Sequence, residues 1–329
     1  MTRVAVNGRF LGLKITGVER YAREVWSRFP KEESRIIEPR AALMGWRGIL
    51  WEQAALPHMI RKDELLLSLT NLGPLSKRRQ VLVVHDLATL DHPEWFSVGV
   101  RETYDVLLPR LVRRVDAIVT VSEFSRQRVI ERLSVPEDRV VRIYPGCGSG
   151  FHADGKLATK APYVLAYGSD DPRKNFSRLL NAWTILRREF PDLTLKVFGR
   201  PTRLFANTAK GDFENVEFLG YVAEAQLPAL YRNASLLAYP SLYEGFGLPI
   251  LEALASGTQV VVSDIEVFRE LFDGSVSFID PLSVESVAQG IKAALLNPRP
   301  SIELRDAGLL SRFNFDRTAL QLYELCSTL

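Results

Sequence analysis

Pro240-Ser-Leu-Tyr-Glu-Gly-Phe-Gly-Leu-Pro-Ile-Leu-Glu-Ala-Leu-Ala-Ser-Gly257 decides how this chain is read. A short apolar strand over residues 235–239 runs into a glycine-rich turn, and an apolar helix follows it. Gly245 and Gly247 let the backbone bend and expose its amides. The pattern puts Pro249 at the first helical position, where its missing N–H costs nothing. The unpaired N–H groups of that turn, with the positive end of the helix dipole, suit an anion such as a diphosphate. Glu244 then stands at the strand end and Glu252 one turn into the helix, on different sides of the anion. Carboxylates beside a phosphate are useful where they face hydroxyls, and a nucleotide sugar carries these on its ribose and its hexose. From these residues alone, a capped helix with two solvated glutamates is an equally good reading.

Working outward, apolar β-branched runs recur between amphipathic segments, the pattern of parallel α/β architecture. In the first half they fall at residues 4–6, 64–67, 81–84, 117–121 and 140–143; in the second, at 163–166, 194–198, 216–219, 235–239, 259–262 and 275–278. Two doubly wound sheets in succession are expected. The break falls at residues 144–155, rich in glycine and without periodicity. Gly146, Gly148 and Gly150 there have G-x-G-x-G spacing behind Pro145 and no helix pattern after them, so a hinge is the better reading than a dinucleotide fingerprint.

The chain has 329 residues, 47% apolar and 25% charged, which suits an ordinary globular protein of two domains. No apolar run approaches a membrane span, and the N-terminus enters a strand with no secretory pattern. Cys147 and Cys326 fit neither a disulfide framework nor a metal site, so a cytoplasmic protein is expected. The net charge of +3 hides an asymmetry: residues 1–155 hold 24 basic and 19 acidic side chains, the remainder 18 and 20. A basic first half is mostly solvated helix surface; its functional reading is peripheral contact with anionic lipid or a phosphorylated acceptor. No nucleic-acid-binding motif accompanies it.

Further segments carry chemistry. Thr16 and Glu19 form a capping-box pattern that opens a helix with Val18, Ala22, Val25, Trp26 and Phe29 on one face, and Gly17 leaves its first amides approachable. His85 and Asp86 stand at the carboxyl end of the 81–84 strand, where open α/β sheets bind ligands. Arg173 and Lys174 follow the first strand of the second half and precede a helix with Phe176, Leu179, Leu180 and Trp183, as two cations able to neutralise a diphosphate. Residues 218–224 end a strand in a glycine turn, followed by Val222 and Glu224. Each also has a structural reading: a capped helix, a packed His-Asp pair, a solvated cation pair, an ordinary turn.

Taken in order, these segments resemble retaining glycosyltransferases of family 4, whose E-x7-E signature matches Glu244 to Glu252, with a mannosyl- or rhamnosyltransferase-like glycine loop at Thr16-Gly17. The resemblance spans nearly the whole chain. It implies a GT-B fold, two Rossmann-like domains facing a central cleft: residues 1–150 on the acceptor side, 151–312 binding the donor, and a terminal helix at 313–329 packing back on the first. It implies hexose transfer from a nucleotide diphosphate sugar, mannose from a GDP-sugar favoured, to a glycan or polyprenyl-diphosphate-linked acceptor, without metal or other cofactor. Glu244, His85, Arg173 and Lys174 take catalytic roles. Gly17, Asp86, Val222, Glu224, Glu252 and the turn Gly245, Phe246, Gly247, Leu248 bind donor. Where many members place an arginine, this chain has Ser169, which leaves more of the phosphate work to Arg173 and Lys174. A nucleotide-sugar epimerase of the same fold and a non-catalytic carbohydrate- or nucleotide-binding module are the alternatives.

Overall fold

The computed structural model describes residues 2–153, 162–199, 214–298 and 307–329. Two compact units divide the chain, Met1–Gly146 together with Arg312–Leu329, and Cys147–Ser311. Of the glycine-rich stretch at 144–155, Asp154 and Gly155 lie outside the described residues.

The first unit is built on a six-stranded parallel sheet, β1 (Arg3–Asn7), β2 (Ser34–Ile37), β3 (Glu64–Ser68), β4 (Gln80–Val84), β5 (Ala117–Thr120) and β6 (Val140–Arg142), in the order β2-β1-β3-β4-β5-β6. Val81 to Val84 and Leu65 to Leu67 have no exposed surface, as strands covered on both faces should. β2 is an edge strand that the sequence pattern did not mark. It holds only two apolar residues behind Lys31-Glu-Glu-Ser34, and parallel pairing with β1 rather than its own composition makes it a strand.

The helix Gly17–Arg28 starts at the capping box, Glu19 accepting from the Thr16 N–H at 3.1 Å. Its buried face differs from the expected one: Tyr21, Ala22 and Val25 are covered, while Val18 and Trp26 are half-buried. A second helix, Phe315–Thr328, packs on it, Phe29 meeting Tyr323 edge-on and Arg28 pairing with Asp316.

The second unit repeats the architecture with β7 (Tyr163–Gly168), β8 (Thr194–Gly199), β9 (Val216–Gly220), β10 (Leu236–Tyr239), β11 (Gln259–Ser263) and β12 (Ser277–Ile279), ordered β12-β11-β10-β7-β8-β9, all parallel. Trp183 centres its core on the helix Phe176–Glu189, together with Phe176, Leu179 and Leu180. Truncating so buried an indole costs about 3–5 kcal/mol. β12 begins two residues later than expected because Gly274, at φ +79°, and the Ser275 N–H bonded to the Phe272 carbonyl extend the preceding turn.

Candidate functional site

In both sheets the chain winds outward from one strand in two directions, and ligands of such sheets bind beyond the carboxyl ends where the order reverses. In the second unit this is the β7/β10 junction. The segment after β7 forms a short 3-10 turn, Pro172–Lys174, and Asn175 at φ +54° breaks it from the helix Phe176–Glu189. The two cations therefore stand in a turn ahead of the helix rather than in its first turn. That turn is stitched to the β10 exit: the Leu242 N–H donates to the Arg173 carbonyl at 2.7 Å, and the Asn175 side chain donates to the carbonyls of Pro240 and Pro281.

This stitching brings Lys174 to Glu244. The ammonium meets Glu244 Oε1 directly and donates to the Tyr239 hydroxyl at 3.1 Å, which in turn donates to the same carboxylate oxygen at 2.7 Å. The rings of Tyr167 and Tyr239 lie 5.7 and 5.4 Å from the ammonium. Burial alone pushes the Glu244 carboxyl up, but the charges of Lys174 and Arg173 and the bonds from Lys174 and Tyr239 overcome it, and the net direction is down. Glu244 is thus an ionised, buried acceptor. Arg173 binds Asp171 through both its guanidinium and its backbone N–H, while its charge still acts on Glu244. Ser169 accepts the Asp171 N–H at 3.1 Å.

The helix of the signature runs Leu248–Ala255, one residue earlier than expected, so Pro249 is its second residue and Gly247, at φ +103°, its cap. Glu252 is 2% exposed. The Phe246 ring is buried edge-on to Phe272, so only its backbone is left to face a ligand. Gly220, the last residue of β9, turns the chain at φ +64°, leaving Val222 half-buried and Glu224 exposed.

In the first unit His85 is buried, its ring edge-on to Tyr21 at 4.8 Å, and Nε2 bonds the Leu69 carbonyl at 2.9 Å. A carbonyl only accepts, so Nε2 carries the proton and neutral His85 presents Nδ1 as an acceptor. Burial lowers its pKa and keeps it neutral, against the pull of the Leu69 carbonyl, Asp86 and Glu19. Asp86 accepts the Ala88 N–H. The space over Gly17 is open for an added Cβ.

Sequence reasoning left a second polar cluster unread. At the β1/β3 junction Asn7 donates to Glu52 Oε1 at 2.7 Å and Arg9 lies 3.0 Å from Glu52 Oε2. Nothing local marks Glu52; its place is known only once residues 51–55 wind as a π-helix. Burial pushes its carboxyl up to about 7, against the opposing effects of Arg9 and Asn7. A folded pKa above the ordinary 4.5 means that stability from this proton is full below pH 4.5 and lost as pH rises to about 7. The gain in melting temperature of Glu52→Gln over wild type is therefore expected to widen from pH 4.5 to 7; parallel pH profiles would overturn this.

Solved structures confirm the architecture. The sucrose-phosphate synthase from Thermosynechococcus elongatus superimposes with a TM-score of 0.77 at 19% identity, over 100% of this chain and 99% of that one. Anabaena HepE in complex with UDP and glucose gives 0.74 at 18%, over the whole of both chains. The protein has the GT-B fold. Residues 151–308 match the family described as glycosyl transferases group 1 and residues 63–147 match Glycosyltransferase Family 4. The O-antigen chain mannosyltransferase B of Escherichia coli is 31% identical over 68% of this chain and 62% of its own length. The Salmonella typhimurium O-antigen chain mannosyltransferase RfbU is 29% identical over 73% and 67%. The chain belongs to glycosyltransferase family 4. It spans about three fifths of the first of these relatives.

Proposed function

We propose that this protein transfers a hexose, mannose favoured, from a nucleotide diphosphate sugar to a hydroxyl of a glycan or lipid-linked acceptor in surface polysaccharide assembly, with retention at the anomeric carbon. The observation that carries this reading is the Lys174–Tyr239–Glu244 cluster at the β7/β10 junction; the similarity to O-antigen mannosyltransferases supports the sugar and the setting. Lys174, oriented by Glu244 and Tyr239, faces the diphosphate as the bond from the anomeric carbon to its phosphate oxygen breaks, and charge grows there. Glu244, being ionised, accepts hexose hydroxyls and supplies no proton. The acceptor oxygen bonds to the anomeric carbon from the departing side, and its proton passes to the leaving phosphate oxygen. Glu252 binds the ribose diol, the amides of residues 245–248 face the phosphates, and Glu224 with Val222 meets the base, an acidic acceptor suiting guanine. His85 accepts a substrate hydroxyl at Nδ1.

Thermal-shift titration with GDP-mannose and UDP-glucose, with and without EDTA, tests this together with Glu252→Ala. GDP-mannose is expected to raise the melting temperature more than UDP-glucose, unaffected by EDTA, and Glu252→Ala to weaken donor affinity about tenfold. A larger shift with UDP-glucose would overturn the GDP preference, loss of the shift in EDTA the metal independence, and no shift with either donor the function itself.

Among the described residues no helix is long and apolar enough to cross a membrane. Peripheral contact is proposed through the first unit, where Met44, Trp46 and Leu50 are 64%, 69% and 55% exposed around the helix Gly45–Leu50 and the Arg47 guanidinium lies 5.7 Å from the Trp46 ring. An aromatic and basic pairing of this kind suits an anionic interface. Co-sedimentation with phosphatidylglycerol vesicles is expected, and Trp46→Ala should reduce it severalfold; equal pelleting of both would sink the idea.

A further inference from the structure

The Asn7–Arg9–Glu52 cluster has a geometry that stability alone does not explain. Its location is the reversal point of the first sheet, since β1 lies between β2 and β3 and the order runs outward on both sides from there. Arg9 sits in the 3-10 turn Gly8–Gly12 that leaves β1. Asn7 fixes that turn twice, accepting the Arg9 N–H at 3.3 Å through Oδ1 and donating to Glu52 through Nδ2 at 2.7 Å. An added Cβ at Gly48 would stand 2.6 Å from the Leu43 carbonyl oxygen and 3.1 Å from both Cδ and one terminal nitrogen of Arg9, so the glycine admits the loop backbone and the arginine together. Gly48 and Glu52 are one helical turn apart, so one face of this segment makes room for the arginine and also orients it. The extra residue per turn of a π-helix, which recurs at functional sites, spans Glu52 itself.

Three observations point to a ligand. Arg9 Nε is buried and has no acceptor among the described residues, and a buried donor left unmade is destabilising unless something else fills it. The Arg9 side chain keeps 14% of its surface, whereas Glu52 keeps none, so the cation and not the carboxylate is the group that reaches outward. The surrounding groups are polar and convergent: the Tyr104 hydroxyl meets the Asn71 side chain and lies within electrostatic reach of Asp86, Arg9 and Glu52. Asn71, at φ +61°, accepts the His85 N–H at 2.7 Å.

We propose that Arg9, held by Asn7 and Glu52 at the β1/β3 reversal point, is an anion-binding group that takes a phosphate of the acceptor, separate from the diphosphate group proposed at Lys174. Guanidinium forks match phosphate oxygens in pairs of parallel hydrogen bonds, and the part of the Arg9 side chain that stays exposed beside Glu52 is what an anion meets. The word acceptor rests on the transfer reading above; the anion site stands without it. A free phosphate and a lipid-linked diphosphate present the same chemistry, and the experiment separates them.

Calorimetric titration with inorganic pyrophosphate and with decyl diphosphate is carried out on the full chain and on Arg9→Gln, Arg9→Lys and Lys174→Met. Wild type is expected to bind at two sites. Arg9→Gln should lose one of them, with affinity there reduced at least tenfold, Arg9→Lys should retain part of it, and Lys174→Met should lose the other. Because Arg9→Gln leaves the Glu52 carboxylate without its cation, the double variant Arg9→Gln/Glu52→Gln, which restores charge balance, is titrated beside it and should lose the same site. Two sites persisting in Arg9→Gln and in the double variant would overturn the proposal, whereas two sites persisting only in Lys174→Met would count against the donor reading alone. Tighter binding of decyl diphosphate than of pyrophosphate at the Arg9-dependent site would assign it to a lipid-linked acceptor; equal affinity would assign it to the phosphate alone.

Discussion

Lys174→Met is expected to lower turnover about a hundred- to a thousandfold, the range seen when one preorganised donor to a developing anion is removed, and to destabilise the second unit as well. The reason lies in the geometry of the pair. Lys174 and Glu244 keep 15% and 11% of their side-chain surface, and removing one partner of a buried ion pair leaves an uncompensated charge at a cost of about 3–5 kcal/mol. With the ammonium gone, burial is opposed only by Arg173 and the Tyr239 hydroxyl, and the Glu244 carboxyl rises. In wild type its pKa is below the ordinary 4.5, so the pair contributes fully above that pH and is lost as pH falls through the lowered native value. The double variant Lys174→Met/Glu244→Gln removes both charges and should recover much of the melting temperature while remaining inactive. Turnover within about threefold of wild type in the single variant, or a double variant no more stable than the single, would contradict the assignment.

Gly146→Ala, a single methyl, is expected to destabilise the first unit by about 3 kcal/mol or more, at the upper end of overpacking effects. A Cβ there would lie 2.0 Å from the Phe315 nitrogen and 2.4 Å from the Asn314 carbonyl carbon. Both are backbone atoms, so no rotamer change relieves the clash. They open the helix Phe315–Thr328, which is tied at that point by the Thr318 hydroxyl to the Tyr144 carbonyl at 2.7 Å and by Tyr144 edge-on to Phe313 at 5.3 Å. The melting temperature should fall by roughly 6 °C or more, with faster proteolysis of the terminal helix. A change of under about 2 °C would show that the backbone moves aside freely.

The two expectations have different origins in the chain. The glycine at 146 was legible as punctuation, and the sequence pattern read it as part of a hinge; its close approach to Asn314 and Phe315 joins residues almost 170 positions apart and has no local mark. Likewise the paired runs of Val, Ile and Leu marked eleven of the twelve strands among the described residues, because period and composition are properties of neighbours in sequence. β2 escaped because an edge strand of four residues is made by its partner. Phe246 looked like part of a binding turn, and only the packing of Phe272 shows where its ring goes.

By itself the sequence determined that this is a doubly wound α/β chain of glycosyltransferase family 4, with Glu244, Arg173, Lys174 and His85 at strand ends. Those are statements about residue type, spacing and position along a strand, and neighbours in the chain suffice for them. Only the tertiary structure decided that Lys174 pairs with Glu244 while Arg173 turns to Asp171, that His85 spends its proton on Leu69, and that Asn7, Arg9 and Glu52 meet at all. The physical reason is the same in each case: charge, hydrogen-bond direction and burial depend on which strands lie side by side, and the sheet order brings β10 back beside β7, and β3 beside β1, across long stretches of intervening chain.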